Sequence, residues 1–114
     1  MKTRILLFSL LFVLALSAVS YAGQLNIINN VPGLTVYELH LSRASTNNWE
    51  EDVLGGDVLN YNEYVTINFH PAESECYWDM LAVDDYGNQA SWYDIDLCSY
   101  SSITLNADGT ATFQ

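Results

Sequence analysis

Residues 64 to 69 (YVTINF) alternate without a break, with Val65, Ile67 and Phe69 on one side of the chain and Thr66, Asn68 and His70 on the other. Period-two patterning in β-branched and aromatic residues predicts a half-buried strand. The same reading extends to residues 34 to 42 (LTVYELHLS), where Tyr37, Leu39 and Leu41 alternate with Glu38 and His40. A shorter candidate at residues 25 to 29 (LNIIN) places Leu25 and Ile27 together and is closed by Asn30-Val31-Pro32-Gly33, a turn signal that suggests a hairpin between these first two strands. Near the other end, residues 102 to 106 (SITLN) and 110 to 113 (TATF) flank Asp108-Gly109, a dipeptide suited to a tight hairpin.

The segment from Cys76 to Cys98 reads as two strands about a turn at Asp84-Asp85-Tyr86-Gly87-Asn88, where Gly and Asn tolerate positive φ. A symmetric register centred on Gly87 sets the two cysteines opposite each other. It also sets Asp94 and Asp96 opposite Met80 and Trp78, on the apolar side. Burying two unpaired carboxylates is costly, so the pattern predicts a one-residue bulge or an irregular end near Cys98, since a one-residue slip exchanges the faces.

Between Arg43 and Leu59 the alternation fails. Asn47 or Asn48 suits a helix cap, Glu50, Glu51 and Asp52 suit its positive end, and Gly55-Gly56 suits its termination, so a long loop with one short helical turn is expected, with Trp49, Val53 and Leu54 tucked inward. Seven candidate strands and no longer helix predict an all-β fold, a small antiparallel β-sandwich.

Residues 1 to 22 change how this pattern is read. Lys2 and Arg4, an apolar run from Ile5 to about Val19, and the small residues Ser20 and Ala22 form the tripartite pattern of a secretory signal peptide, cleaved after Ala22. The expected organisation is a signal peptide at 1–22 and one β-sandwich domain at 23–114, exported to the periplasm or the medium. Removing 22 residues from 114 leaves 92, and one base, Arg43, against 14 acids gives a formal charge of −13. Such a chain has no Lys/Arg set with which to displace phosphate counterions, which excludes nucleic-acid binding. The apolar run is shorter than the roughly 20 residues of a spanning helix, so no membrane insertion is expected after cleavage. Cys76 and Cys98, the only cysteines, are expected to pair in an oxidising compartment, closing the hairpin.

The chemistry-bearing residues leave several classes open. Glu50, Glu51 and Asp52 near Asp57, or Asp94 with Asp96, could form the acid and base of a small carboxylate-dependent hydrolase. Acidic pairs arise without chemistry in so acidic a chain, and no catalytic residue is assigned. Asp94 and Asp96 on one strand with Asp84 and Asp85 in the facing turn offer hard oxygen ligands for Ca²⁺ in a spacing unlike an EF-hand, and His40 with His70 is the weaker candidate for a transition-metal pair. His40 and His70 lie on different strands with no nucleophile motif beside them. Three tryptophans and seven tyrosines after Tyr21 supply core packing or, where exposed, anchors for a protein or a sugar ring. Trp49, Glu50, Glu51, Asp52 and Asp57 on the long loop are the partner-binding candidates. The expectation is a non-enzymatic binding or structural module acting through its surface, in its sharpest form an inhibitor-like binder of a basic protein. A Ca²⁺-binding module and a small hydrolase are the alternatives.

The order of motifs, Trp49-Glu50-Glu51-Asp52-Val53-Leu54-Gly55, Asp57-Val58-Leu59, Val65-Thr66-Ile67, then Cys76 to Asp79 and Asp96-Leu97-Cys98, resembles a group of small exported bacterial proteins of uncharacterised function. Some of that group carry an argininosuccinate lyase label. That activity belongs to large helical enzymes whose active sites are assembled from several subunits, and a β domain of this size has none of that apparatus. Asn60-Tyr61-Asn62-Glu63 stands where the group has a Pro-Gly turn. The resemblance includes the two cysteines, Cys76 and Cys98, and supplies no catalytic residue.

Overall fold

The computed structural model describes residues 23–114, and the expected signal peptide and its cleavage site lie outside the described residues. Seven strands form two sheets: β1 (Gln24–Asn30), β2 (Val36–Arg43), β3 (Tyr64–Asn68), β4 (Tyr77–Asp84), β5 (Gln89–Asp96), β6 (Ser102–Asn106) and β7 (Ala111–Phe113). One sheet has the order β3-β1-β6-β7 and the other β2-β4-β5. Their apolar faces meet in a single core, with Leu25, Ile27, Ile103 and Leu105 from the first packed with Val36, Leu39, Leu41, Trp78, Met80 and Ile95 from the second. The expected small β-sandwich is therefore present, with one parallel pair, β1 with β6, in an otherwise antiparallel arrangement.

Several local expectations are corrected. β1 and β2 form no hairpin, because β1 pairs with β3 and β6 while the Pro32-Gly33 turn carries the chain into the opposite sheet. The fully buried Asn29 organises this corner. Its amide donates to the carbonyls of Leu34 (2.9 Å) and Leu59 (3.0 Å), and its Oδ1 accepts the Val31 N–H (3.0 Å). Tyr37 does not share the buried side with Leu39 and Leu41, because a bulge between Val36 and Glu38 turns it outward and lets Val36 face the core.

The loop after β2 contains no helical turn. It runs along the free edge of β2, with paired backbone bonds between Val36 and Leu59 (2.9 Å each) and a Val53 N–H donated to the Leu39 carbonyl (2.8 Å). An edge strand presents unpaired N–H and C=O groups, and an adjacent segment that satisfies them outcompetes a short, isolated helical turn. Leu54 is buried and Val53 packs on the core as expected, whereas Trp49 stays on the surface.

β4 and β5 form the expected hairpin, with a bulge. Tyr77 pairs with Asp96 and Trp78 with Ile95, and the register then shifts so that Met80 pairs with Trp92. The extra residue lies at Tyr93-Asp94, where Asp94 has φ +56° and its N–H is held by the Asp79 carboxylate (2.9 Å). The shift lets Trp92 and Ile95 both face inward while Tyr93 and Asp94 both point out. Asp94 and Asp96 are thereby kept out of the core. The ladder is centred on Tyr86, one residue before the expected centre, and Gly87 supplies the positive φ of +83° in the turn. The β6–β7 hairpin is as expected.

Candidate functional site

Charge is divided unequally between the two sheets. The four strands β3, β1, β6 and β7 contain no charged residue. Their outer face is built mainly of Asn, Gln, Ser and Thr, with Ile28 and the exposed Tyr64 at one end. In the row Thr66–Asn26–Ser102, for example, Thr66 Oγ1 donates to Asn26 Oδ1 (2.6 Å). The strands β2, β4 and β5 carry Glu38, Asp79, Asp84, Asp94 and Asp96. Carboxylates need water or a partner, so they collect where the pleat directs them to solvent.

On that outer face, the loop after β2 folds back over the sheet. Trp49 lies against Tyr93, with ring centroids 6.0 Å apart and planes at 37°. Beneath them, Ser42 and Asp79 stand on paired positions of β2 and β4. Ser42 is 2% exposed, and its Oγ accepts the Glu50 N–H (2.6 Å), tying the loop to the strand. Ser42, Thr46, Asn47, Asn48, Trp49, Asp79 and Tyr93 surround a pocket of about 180 Å³. Tyr77, half exposed, lies two residues from Asp79 on the same face of β4.

His40 is the second tether of this loop. Its Nδ1 faces the Glu50 carbonyl (2.6 Å) and its Nε2 the Glu38 carboxylate (3.0 Å). Both partners are acceptors, so only the imidazolium satisfies them together. Burial pulls the His40 pKa down, but Glu38, the Glu50 carbonyl and Asp52 outweigh it and leave the group above its ordinary 6.5. A raised folded pKa contributes stability that is full below 6.5 and is lost as pH rises through the folded value. Melting temperature is therefore expected to fall as pH is raised from 6 towards 8, and His40→Asn is expected to flatten that slope. Identical slopes in both proteins would remove His40 from the account.

The partner-binding candidates have different fates. Trp49 joins the pocket. Glu50 contributes its backbone to the two tethers, and its carboxylate lies 3.6 Å from Arg43. Asp52 is structural, its Oδ1 accepting the N–H of Leu39 (2.9 Å) and Leu54 (3.0 Å). Glu51 is exposed without a partner among the described residues. Asp57 lines a separate hollow with Val58, Tyr64 and Val65. Arg43, the single base of the described chain, is engaged with Glu73 (2.6 Å) and lies 5.5 Å from the centre of the Trp78 ring. The Arg43 guanidinium hydrogen-bonded to Glu73 holds that carboxyl below the usual carboxylate range.

The four aspartates considered for Ca²⁺ are not brought together. Asp84 sits at the turn and Asp94 lies opposite Asp79, about five residues or roughly 16 Å along the strand. Asp84 is spent on its own turn, accepting N–H groups of Tyr86 (2.9 Å) and Asn88 (2.8 Å). Asp96 caps the turn after β5 through Cys98 N–H (3.1 Å) and the Ser99 hydroxyl (2.7 Å). Among the described residues the one ligand-type cluster is Cys76, Asp96 and Cys98, and its two sulfurs are bonded to each other. His40 and His70 belong to segments of different sheets, and His70 Nδ1 accepts the Ala72 N–H (3.0 Å).

Sequence reasoning had named Trp49 but not Asp79, Tyr77, Tyr93 or Ser42. The available signal was Asp79, a lone charge within the otherwise apolar run YWDMLAV. Its juxtaposition with Tyr93 depends on the bulge, and with Trp49 on the path of the loop.

No family model matches the chain, and no curated protein matches it. Among solved structures it is similar to one described as the NMR structure of the protein from Eubacterium rectale, at 12% identity and a TM-score of 0.46, covering 86% of this chain and 93% of that one.

Proposed function

We propose that the chain is an exported, non-enzymatic binding module that engages a basic protein through the outer face of the β2-β4-β5 sheet. The observation that carries this reading is the confinement of strand carboxylates to that sheet, together with the exposed rings of Trp49, Tyr77 and Tyr93. Aromatic anchors supply contact area at low entropic cost, and surrounding carboxylates steer a cationic partner and set its orientation. The Cys76–Cys98 bridge holds the strand ends that present these groups, which reduces the ordering cost of binding. Arg43 lies with Glu73 and Glu50, and His40 with Glu38, which leaves Asp79 and Asp94 on the face without an internal counter-charge.

The test is binding of a lysine-rich decapeptide, followed at low and at physiological salt. Affinity is expected to drop as salt rises and to fall further in Asp79→Asn and Asp94→Asn, substitutions that retain a backbone-compatible amide. Asn68→Lys, on the neutral sheet, is expected to leave binding unchanged. Absence of binding at low salt, or indifference to the two neutralising changes, would refute the proposal.

A further inference from the structure

Resting on that reading, we infer that the pocket between the long loop and the three-stranded sheet is a receptor for one alkylammonium group, the end of a lysine side chain of the basic partner. Two aromatic walls, Trp49 and Tyr93, border one cavity of about 180 Å³, and Asp79 borders it as well. A cation within about 6 Å of a ring centre is attracted by the negative face of the π system, and the attraction grows when the site is shielded from water. The combination differs from a mere acidic patch, because it offers an apolar sleeve for the methylene stem and a negative end for the charge.

The polar groups agree with a donor-only ligand. Asp79 uses Oδ1 to accept the Asp94 N–H at 2.9 Å, and its Oδ2 has no protein donor among the described residues. Asn48 contributes a side chain with no protein partner among the described residues, and its amide oxygen is a second acceptor. Ser42 lies at the floor with one lone pair committed to the Glu50 N–H. An ammonium has three donors and no acceptor, so it suits this acceptor-rich lining. A carboxylate or phosphate would meet Asp79 unpaired and be rejected.

The construction also explains the local backbone. Without the bulge, Tyr93 and Asp94 would point to opposite sides of the sheet. With it, both point outward, and the Asp79–Asp94 hydrogen bond fixes the carboxylate beside the ring. The loop that delivers Trp49 is anchored by the Ser42 and His40 contacts to Glu50, the residue immediately following.

The experiment titrates the intact exported protein with butylammonium chloride, with butanol as the neutral isostere, and with the lysine-rich decapeptide, following the Trp49 indole N–H and the Asp79 and Asp94 amides by NMR. Saturable shifts at these groups with butylammonium, and none with butanol, are expected. Trp49→Ala and Tyr93→Leu, both at exposed rings, are each expected to weaken the peptide by about two- to thirtyfold without lowering the melting temperature, with Trp49→Phe recovering part of the loss. Equal responses to butylammonium and butanol would overturn the inference. Peptide binding that is salt-sensitive yet unaffected by both ring substitutions would overturn it while leaving the wider face as the binding surface. Saturable butylammonium binding with no peptide binding would instead retain the pocket and refute the basic-protein partner.

Discussion

Replacing Asn29 by alanine is expected to destabilise the domain by about 3 kcal/mol, a large share of the roughly 5–15 kcal/mol typical of small domains. The side chain is wholly buried and makes three hydrogen bonds to backbone groups of two segments, the turn that follows β1 and the loop at Leu59. Their loss is unequal. The Leu59 carbonyl keeps the Val36 N–H as a donor at 2.9 Å, so it remains satisfied. The Leu34 carbonyl and the Val31 N–H lose the Asn29 bonds at a part-buried corner, where water compensates them only in part. Each stranded group costs about 1–3 kcal/mol, and the small cavity adds to it. Asn29→Asp is the sharper comparison. It keeps the acceptor for Val31 but turns a carboxylate towards two carbonyls, so it should be at least as damaging as alanine. For a domain of this size each kcal/mol lowers the melting temperature by about 4–8 °C, so thermal denaturation resolves the effect. A loss below about 1 kcal/mol for Asn29→Ala would mean that the corner is held by the Pro32-Gly33 turn and the β1 ladders, with the side chain a passenger.

The importance of Asn29 also marks where the sequence stopped being legible. Strand positions at residues 64 to 69 and 102 to 106 could be read because side-chain alternation is a local property, set by the period of the pleat. Which sheet a strand joins is not local. The turn after Asn30 looked like a hairpin connection, and only the buried Asn29 amide, reaching to Leu34 and Leu59, distinguishes a crossing between sheets from a return within one. The same limit applies to the loop after β2, whose helix-capping residues were genuine in type. Asp52 does cap backbone N–H groups, but those of Leu39 and Leu54 along a strand edge.

The candidate site was half visible for a related reason. A conflict in parity around Asp94 and Asp96 showed that a symmetric hairpin would bury carboxylates, and that conflict correctly called for a bulge. It did not show that the bulge would set Tyr93 beside Trp49, because the second partner arrives from a segment more than 40 residues away in sequence. Hydrophobic patterning reports which side of a strand is wet. It carries no information about which distant loop will cover that side.

Removing the bridge, as the double variant Cys76→Ser/Cys98→Ser, is expected to cost roughly 3 kcal/mol, the chain entropy of a loop closed over a separation of 22 residues. The two cysteines stand just outside the last ladder pair, Tyr77 with Asp96, at a Cα separation of 5.1 Å. They are not directly opposed: the Cys76 carbonyl accepts the N–H of Leu97 at 2.8 Å, and the Asp96-capped turn swings Cys98 into reach. Those hydrogen bonds do not need the sulfurs, so the serine protein should fold to the same ladder with a melting temperature lower by about 12–24 °C. The serine pair is a cleaner test than reductant. Reduction would leave two thiols and the Asp96 carboxylate within 4.8 Å of one another, a set able to capture a thiophilic metal and hide part of the loss. Trp78, Ile95 and Leu97, close in sequence to the bridged residues, belong to the core cluster without the sulfurs, so the unfolded chain gains freedom while the folded core keeps its contacts. On the entropic account the folding rate should therefore change little, and unfolding quicken, if the hairpin is still unformed in the folding transition state, whereas the unfolding rate should change little, and folding slow, if it is already formed there. A melting temperature within about 4 °C of the bridged protein would refute the stabilising role and leave the disulfide as a device for holding Tyr93 and Asp94 in place.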